Sequence, residues 1–169
     1  MVDKYREYVK VAGAAIVQDE ARDAEMVQTV LDFKDRLDEL LGSSFEQNDA
    51  FTVATKESFV YFINLRENRP AELVAKFLDS KLRSGGSKGL SEEEREVIMD
   101  KTLNIFRFIN GKDVFQKYYA KDLAKRLLLG RSSSVDAEKS MITRLKAECG
   151  SGFTNKLEGM FKDMDLSKD

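Results

Sequence analysis

The sequence predicts an all-α protein of about eight helices and no sheet. Three observations carry this. Apolar residues recur at three- and four-residue intervals along most of the chain. Only one proline, Pro70, occurs in 169 residues, so helices can run uninterrupted. No stretch alternates apolar and polar residues between turn signals, as a half-buried strand would.

The first helix is expected from about Lys4 to Gln18, with Tyr5, Tyr8, Val9, Ala12 and Ile16. A second runs from about Ala21 to Leu41, where Met26, Val27, Val30, Leu31, Leu37, Leu40 and Leu41 recur at helical spacing. Gly42 is expected to close it, since glycine readily takes the left-handed conformation at a helix end. Phe51, Phe59, Phe62 and Ile63 form the stripe of a third helix, from about Asp49 to Leu65. Pro70 opens a fourth, because a first-turn proline lacks only an N–H that would have no partner there. Leu73, Val74, Phe77, Leu78 and Leu82 are its inward residues.

Ser84 to Gly89 reads SGGSKG, a flexible loop. Ser91 and Glu94 then make a Ser-x-x-Glu capping pattern for a fifth helix, faced by Ile98, Thr102, Ile105, Phe106 and Ile109. Asn110-Gly111 is a break. A sixth helix runs from Asp113 to about Leu129 with Val114, Phe115, Tyr118, Leu123 and Leu127, and Gly130 ends it. In the seventh, Ser134, Asp136 and Glu138 suit a helix start, since acidic residues there complement the dipole. It carries Met141, Ile142 and Leu145 and stops at Gly150. The eighth, from about Phe153 to Met164, carries Leu157, Met160 and Phe161. Asp165 to Asp169 read as a connection to further chain.

Composition narrows the chemistry. Hydrophobic residues are 42% and charged residues 34%, with a net charge of -2. That balance argues against attraction of the whole chain to nucleic acid or membrane. Histidine is absent, which removes the commonest general base and metal ligand together. A single cysteine, Cys149, gives no disulfide framework and no zinc cluster, and fits a reducing compartment. Sites built from carboxylates alone stay open. No cofactor is expected. No apolar run reaches membrane-spanning length, and the charged N-terminus does not resemble a signal peptide.

No Gly-x-Ser-x-Gly elbow is present. SGGSKG lacks the preceding strand and the Gly-Lys-Ser/Thr ending of a phosphate loop. Cys149 reads as a small buried hydrophobe rather than a reactive thiol. Tyr118 reads as a core residue and Tyr119 as half-buried, and Glu92-Glu93-Glu94 as a solvated helix start. The segment Lys112 to Arg131 is more distinctive. Six basic residues, Lys112, Lys117, Lys121, Lys125, Arg126 and Arg131, stand against Asp113 and Asp122. Lys117, Lys121 and Lys125 share one stripe at i, i+4, i+8. The stripe reads either as an ordinary solvated face or as a surface for an acidic protein. Nucleic acid fits less well, because stacking aromatics do not interleave with it.

Three consecutive blocks carry a resemblance. KDVFQKYYAKDLAKRLL (Lys112 to Leu128), SSVDAEKSMITRLKAECG (Ser133 to Gly150) and FTNKLEGMFKDMDLSKD (Phe153 to Asp169) closely resemble the cullin family. AEMVQTVLDFKDRLDELL (Ala24 to Leu41) and RPAELVAKFLDSKLR (Arg69 to Arg83) look most like its cullin-4 subfamily. The resemblance covers nearly the whole chain, more loosely over the first twenty residues. It implies a fold: residues 1–68 as the C-terminal part of the last helical cullin repeat, and 69–169 as a four-helix bundle. It also implies a function, as a non-catalytic scaffold segment of a ubiquitin ligase acting in protein degradation, in the nucleus and cytoplasm. The partners it implies for the full-length protein are a RING-box protein, a substrate adaptor and a ubiquitin-conjugating enzyme. The main adaptor-binding and RING-box-binding regions, and the lysine that accepts a ubiquitin-like modifier, have no counterpart in these residues. Lys81 and Arg83 match the end of the first bundle helix, where the family carries a basic surface for an acidic conjugating enzyme. The rival reading is a stand-alone helical adaptor that binds an acidic protein through Lys117, Lys121 and Lys125.

Overall fold

A computed structural model describes residues 1–44, 49–85 and 90–168. Among them eight α-helices follow one another: α1 Val2–Val17, α2 Asp23–Ser44, α3 Asp49–Ile63, α4 Arg69–Leu82, α5 Glu92–Phe106, α6 Lys112–Leu128, α7 Val135–Cys149 and α8 Ser151–Lys168. A short 3-10 turn, Glu20–Arg22, precedes α2. The described residues contain no strand, only an isolated antiparallel bridge between Arg83 and Ser132. The chain is all-α, as expected.

Several ends differ from expectation. Helix α2 runs through Gly42 to Ser44, because Gly42 does not take a positive φ. Helix α3 stops at Ile63, and α5 at Phe106, so Ile109 is buried from the connection that follows rather than from the helix. Helix α8 continues past Met164 to Lys168. Of the expected SGGSKG loop, residues 86–89 lie outside the described residues, as does Asp169.

The chain divides into two compact units. The first comprises Met1–Leu73 with Phe108–Gly111, the second Val74–Arg107 with Lys112–Asp169.

In the first unit α1 packs along α3. The buried positions of α1 are Tyr5, Val9, Gly13 and Val17, one every four residues. Tyr8 lies outside this row and is exposed. Gly13 is required by packing: a Cβ there would lie 2.2 Å from the Phe62 ring. Phe33, Phe59, Phe62 and Phe108 gather into one cluster, with ring centroids 4.6 to 6.2 Å apart. Each fully buried ring contributes roughly 1.5–3 kcal/mol of transfer free energy. The polar groups inside are paired. Thr55 uses its proton on the Phe51 carbonyl at 2.9 Å, so the Tyr5 hydroxyl donates to Thr55 at 2.6 Å.

Two clasps hold the edges of this unit. Arg66 grips Asp23 with its two terminal guanidinium nitrogens, Nη1 at 2.6 and Nη2 at 3.0 Å, and Nη1 also donates to the Val17 carbonyl. The Arg66 hydrogen bonds, with those of Arg69, outweigh partial desolvation and hold the Asp23 carboxyl at about 2, below its usual 3.8. The side chain of Asn64 brackets a distant segment. Its amide donates to the Phe108 carbonyl at 2.9 Å, and its carbonyl accepts from the Asn110 N–H at 2.8 Å. This is why Phe108–Gly111 belongs to the first unit.

In the second unit the capping box forms as predicted: the Glu94 N–H donates to Ser91 Oγ at 3.1 Å and the Ser91 N–H to Glu94 Oε2 at 3.3 Å. Ser134 caps α7, accepting from the Ala137 N–H. Helix α5 is joined to α7 by polar rungs. Ser140 donates to Glu96, Arg144 pairs with Glu96 and Asp100, and Arg107 forks onto Glu148. Helix α8 packs on α6 and α7. Phe115 touches Phe106, Tyr119 and Phe153, at centroid distances of 4.6, 5.6 and 6.5 Å.

Candidate functional site

Helix α6 decides which basic residues are available to a partner. Its buried side chains are Phe115, Tyr119, Leu123 and Arg126, at steps of four, four and three. The expected order of the tyrosines is therefore reversed: Tyr119 is fully buried and Tyr118 half-buried. Burial pushes the Tyr119 phenol well above its usual range. Apolar spacing leads from Leu123 to Leu127, whereas the core row continues to Arg126. A charged residue at the three-step position hides the row from a reading of apolar spacing.

Arg126 thus leaves the surface count. It is 2% exposed and sits among carboxylates. Its Nε and Nη2 donate to Glu138 at 2.7 and 2.9 Å, and its Nη1 to Asp79 at 2.6 Å. Ser132 adds a hydrogen bond to Glu138 at 2.9 Å, and Arg83 pairs with Asp79 at 2.9 Å. Burial opposes the charge on Arg126, but the hydrogen bonds and charge of Glu138 prevail and push the guanidinium further up. Glu138 is fully buried, so it is the partner of Arg126 rather than a solvated dipole group at the start of α7. The forked geometry satisfies both ions, which a buried pair requires.

The five partner residues named from the sequence fall into three places. Lys117 and Lys121 are exposed along a groove of about 510 Å³ between α6 and α8. Burial puts Ala120, Ala124 and Leu157 deeper in this groove and leaves Lys117, Lys121 and Lys156 at its rim. Lys156 is absent from the sequence reading, since nothing local to α8 says which face meets α6. Lys125 lies instead with Arg83. Both act on Asp122, whose carboxyl is pushed up by burial and by Asp79 while Arg126, Lys125 and Arg83 pull against it. Backbone hydrogen bonds bring Arg131 to the same end of the bundle: the Ser84 N–H donates to the Arg131 carbonyl at 2.6 Å, and the Ser133 N–H to that of Leu82 at 2.9 Å. Leu128 and Leu129 stay exposed beside them, 73% and 60%. Lys81 is half-buried with its ammonium 5.1 Å from the Phe77 ring of its own helix.

Among the described residues no group of three acidic or cysteine side chains could hold a metal ion. Cys149 is half-buried, and burial pushes its thiol up, away from a reactive thiolate. No described helix is long and apolar enough to cross a membrane.

Comparison with known proteins bears on all of this. A family model described as the Cullin alpha solenoid domain matches residues 1–169. Cullin-4A of Homo sapiens is 56% identical over 169 residues, which is 100% of this chain and 22% of that protein. Cullin-4 of Dictyostelium discoideum is 54% identical over 167 residues, 99% of this chain and 21% of that protein. Cullin-3 of the same organism is 51% identical over 172 residues, again 22% of its length. The chain spans about a fifth of the length of these relatives.

Proposed function

We propose, from the premise that the chain belongs to the cullin family, that it is a non-catalytic, rigid scaffold segment of a cullin-RING ubiquitin ligase. In this reading it spaces a substrate adaptor from the RING-box protein and the conjugating enzyme. Their docking regions lie on the rest of the longer protein, and the assembly works in the nucleus and cytoplasm. The observation that carries the reading is identity of 54–56% to cullin-4 relatives along the whole chain. The relatives named above are all cullins, which favours a scaffold role over a stand-alone adaptor. In this reading residues 1–68 are the C-terminal part of the last cullin repeat and the four-helix bundle falls within 69–169, although Arg69–Leu73 and Phe108–Gly111 pack with the first unit.

A spacer acts through geometry. A stiff connection that matches the span between two bound components raises their effective concentration without new contacts. Support comes from aromatic clusters and forked ion pairs in both units, and from the capped starts of α5 and α7 in the second. Lys81 and Arg83, with Lys125 beside Arg83, attract an acidic conjugating enzyme by charge, and Lys117 and Lys121 present a second surface to an acidic partner. Such exposed contacts act on encounter rate and are weakened by salt.

Reconstituted ubiquitin transfer by the longer protein tests the reading. Replacing Phe115 with Ala should slow transfer while RING-box and adaptor pulldowns are retained, because spacing rather than docking is damaged. Cys149→Ser should leave transfer unchanged. Loss of transfer in that variant would instead reveal a covalent role and end the scaffold reading.

A further inference from the structure

We propose that the groove between α6 and α8 is a docking site for an acidic amphipathic helix of a partner protein. This rests on the reading of Lys117 and Lys121 as a partner surface, and narrows it to one groove and one ligand shape. The groove follows α6 from Asp113 to Ala124, which at helical rise is roughly 16 Å, about three turns. Its dimensions suit a short helix lying alongside α6.

Its chemistry is mixed in a directed way. On the α6 side Ala120 and Ala124, one turn apart, offer only methyl groups, so a backbone can approach closely. On the α8 side Phe153 and Met160, both half-buried, offer apolar surface at i and i+7, with the fully buried Leu157 behind them. Two apolar side chains two helical turns apart can be met by the apolar stripe of an amphipathic helix laid alongside α8. The rim carries Lys117 and Lys121 on one side and Lys156 on the other, with Asp113 as its acidic residue. Among the described residues none of the three lysines has a carboxylate within ion-pair distance, whereas Lys146 on the neighbouring helix has one in Glu158. A helix with carboxylates flanking an apolar stripe therefore complements both floor and rim. A basic helix meets repulsion on both sides, and a chain of carboxylates alone leaves the apolar surface unused.

The test uses a fluorescein-labelled helical peptide of about 15 residues, with leucine at i, i+4 and i+7 between flanking glutamates. Two controls have the same length: one with lysine for every glutamate, the other oligoglutamate. Anisotropy titrations against the chain should show the acidic amphipathic peptide binding at least about tenfold more tightly than either control. Lys117→Glu with Lys121→Glu should weaken it by about tenfold or more, and so should Ala124→Leu, which fills the groove. Lys156→Glu, an exposed change, gives the same answer should the leucine variant fail to fold by circular dichroism. Equal binding of oligoglutamate, with no effect of Ala124→Leu, overturns the groove while leaving the basic surface intact. Indifference of both acidic ligands to the lysine reversals overturns groove and basic surface together. A dimer in light scattering that Ala124→Leu dissociates gives the groove to a second copy and overturns the proposal. Peptide binding to this chain but not to the longer protein gives the groove to the protein's own remaining chain, and overturns the proposal as well.

Discussion

The two units solve the same problem, fixing helices against one another, by different means. The first unit packs rings against a glycine and keeps its ion pairs at the edge, where Arg66 grips Asp23. The second unit puts an ion network inside, with Arg126 and Glu138 almost fully buried. Ring packing rewards buried area and close fit without demanding a particular bonding angle. A forked guanidinium–carboxylate pair is satisfied in one geometry, and misalignment leaves a charge without a partner. The second unit thus adds a directional definition of helix register inside its packing, where the core of the first relies on ring packing.

This contrast can be broken at Arg126. Arg126→Ala should cost about 4 kcal/mol in urea unfolding followed by circular dichroism, because Glu138 is left buried and unpaired. The double change Arg126→Met, Glu138→Leu should recover most of that loss, since no charge is then stranded. A double variant as unstable as the single one would show that the network supplies net stability rather than register. Next in size, Phe115→Ala and Leu157→Ala should each cost about 3 kcal/mol by leaving cavities. Gly13→Ala should follow, at about 2 kcal/mol, as Phe62 is forced from its place. An alanine tolerated there without loss would mean that the first unit yields more readily than its packing implies.

The smallest effect sharpens the comparison by pH. The folded Asp23 carboxyl titrates at about 2, against 3.8 when unpaired. Its ion pair therefore stabilises the fold fully above about pH 4, and the contribution is lost as pH falls toward 2. Partial exposure reduces its worth to about 1 kcal/mol. Asp23→Asn should be destabilised by that amount at pH 7, and the difference should fall away as pH drops through about 2. A constant difference between the two proteins at all pH values would contradict the assignment.

Helix number and class were legible because amphipathic spacing is a local property. Phe59, Phe62, Leu78, Leu145 and Leu157 are buried as their spacing predicts. The capping box at Ser91 formed because both of its hydrogen bonds are local. Reading failed where a distant partner decides. Arg126 and Glu138 look like surface residues until α6 and α7 are side by side, and Gly13 looks dispensable until Phe62 arrives from α3. The candidate surface was half legible. The α6 lysine row is visible in the sequence, but its division between a groove and the end of the bundle depends on α8 and on the turn after α4.

The clasp made by Asn64 also bears on the order of synthesis. Its side-chain partners, Phe108 and Asn110, are translated more than forty residues after it. The first unit is therefore completed only after α5 has been made, and the growing chain carries an unclosed aromatic cluster until then. For the same reason no single cut isolates that unit. A truncation at Leu73 keeps α1, α2 and α3 but discards the Phe108 ring that rests on Phe59. Borders for expressing either part alone have to follow the packing, which crosses from one unit to the other three times along the chain.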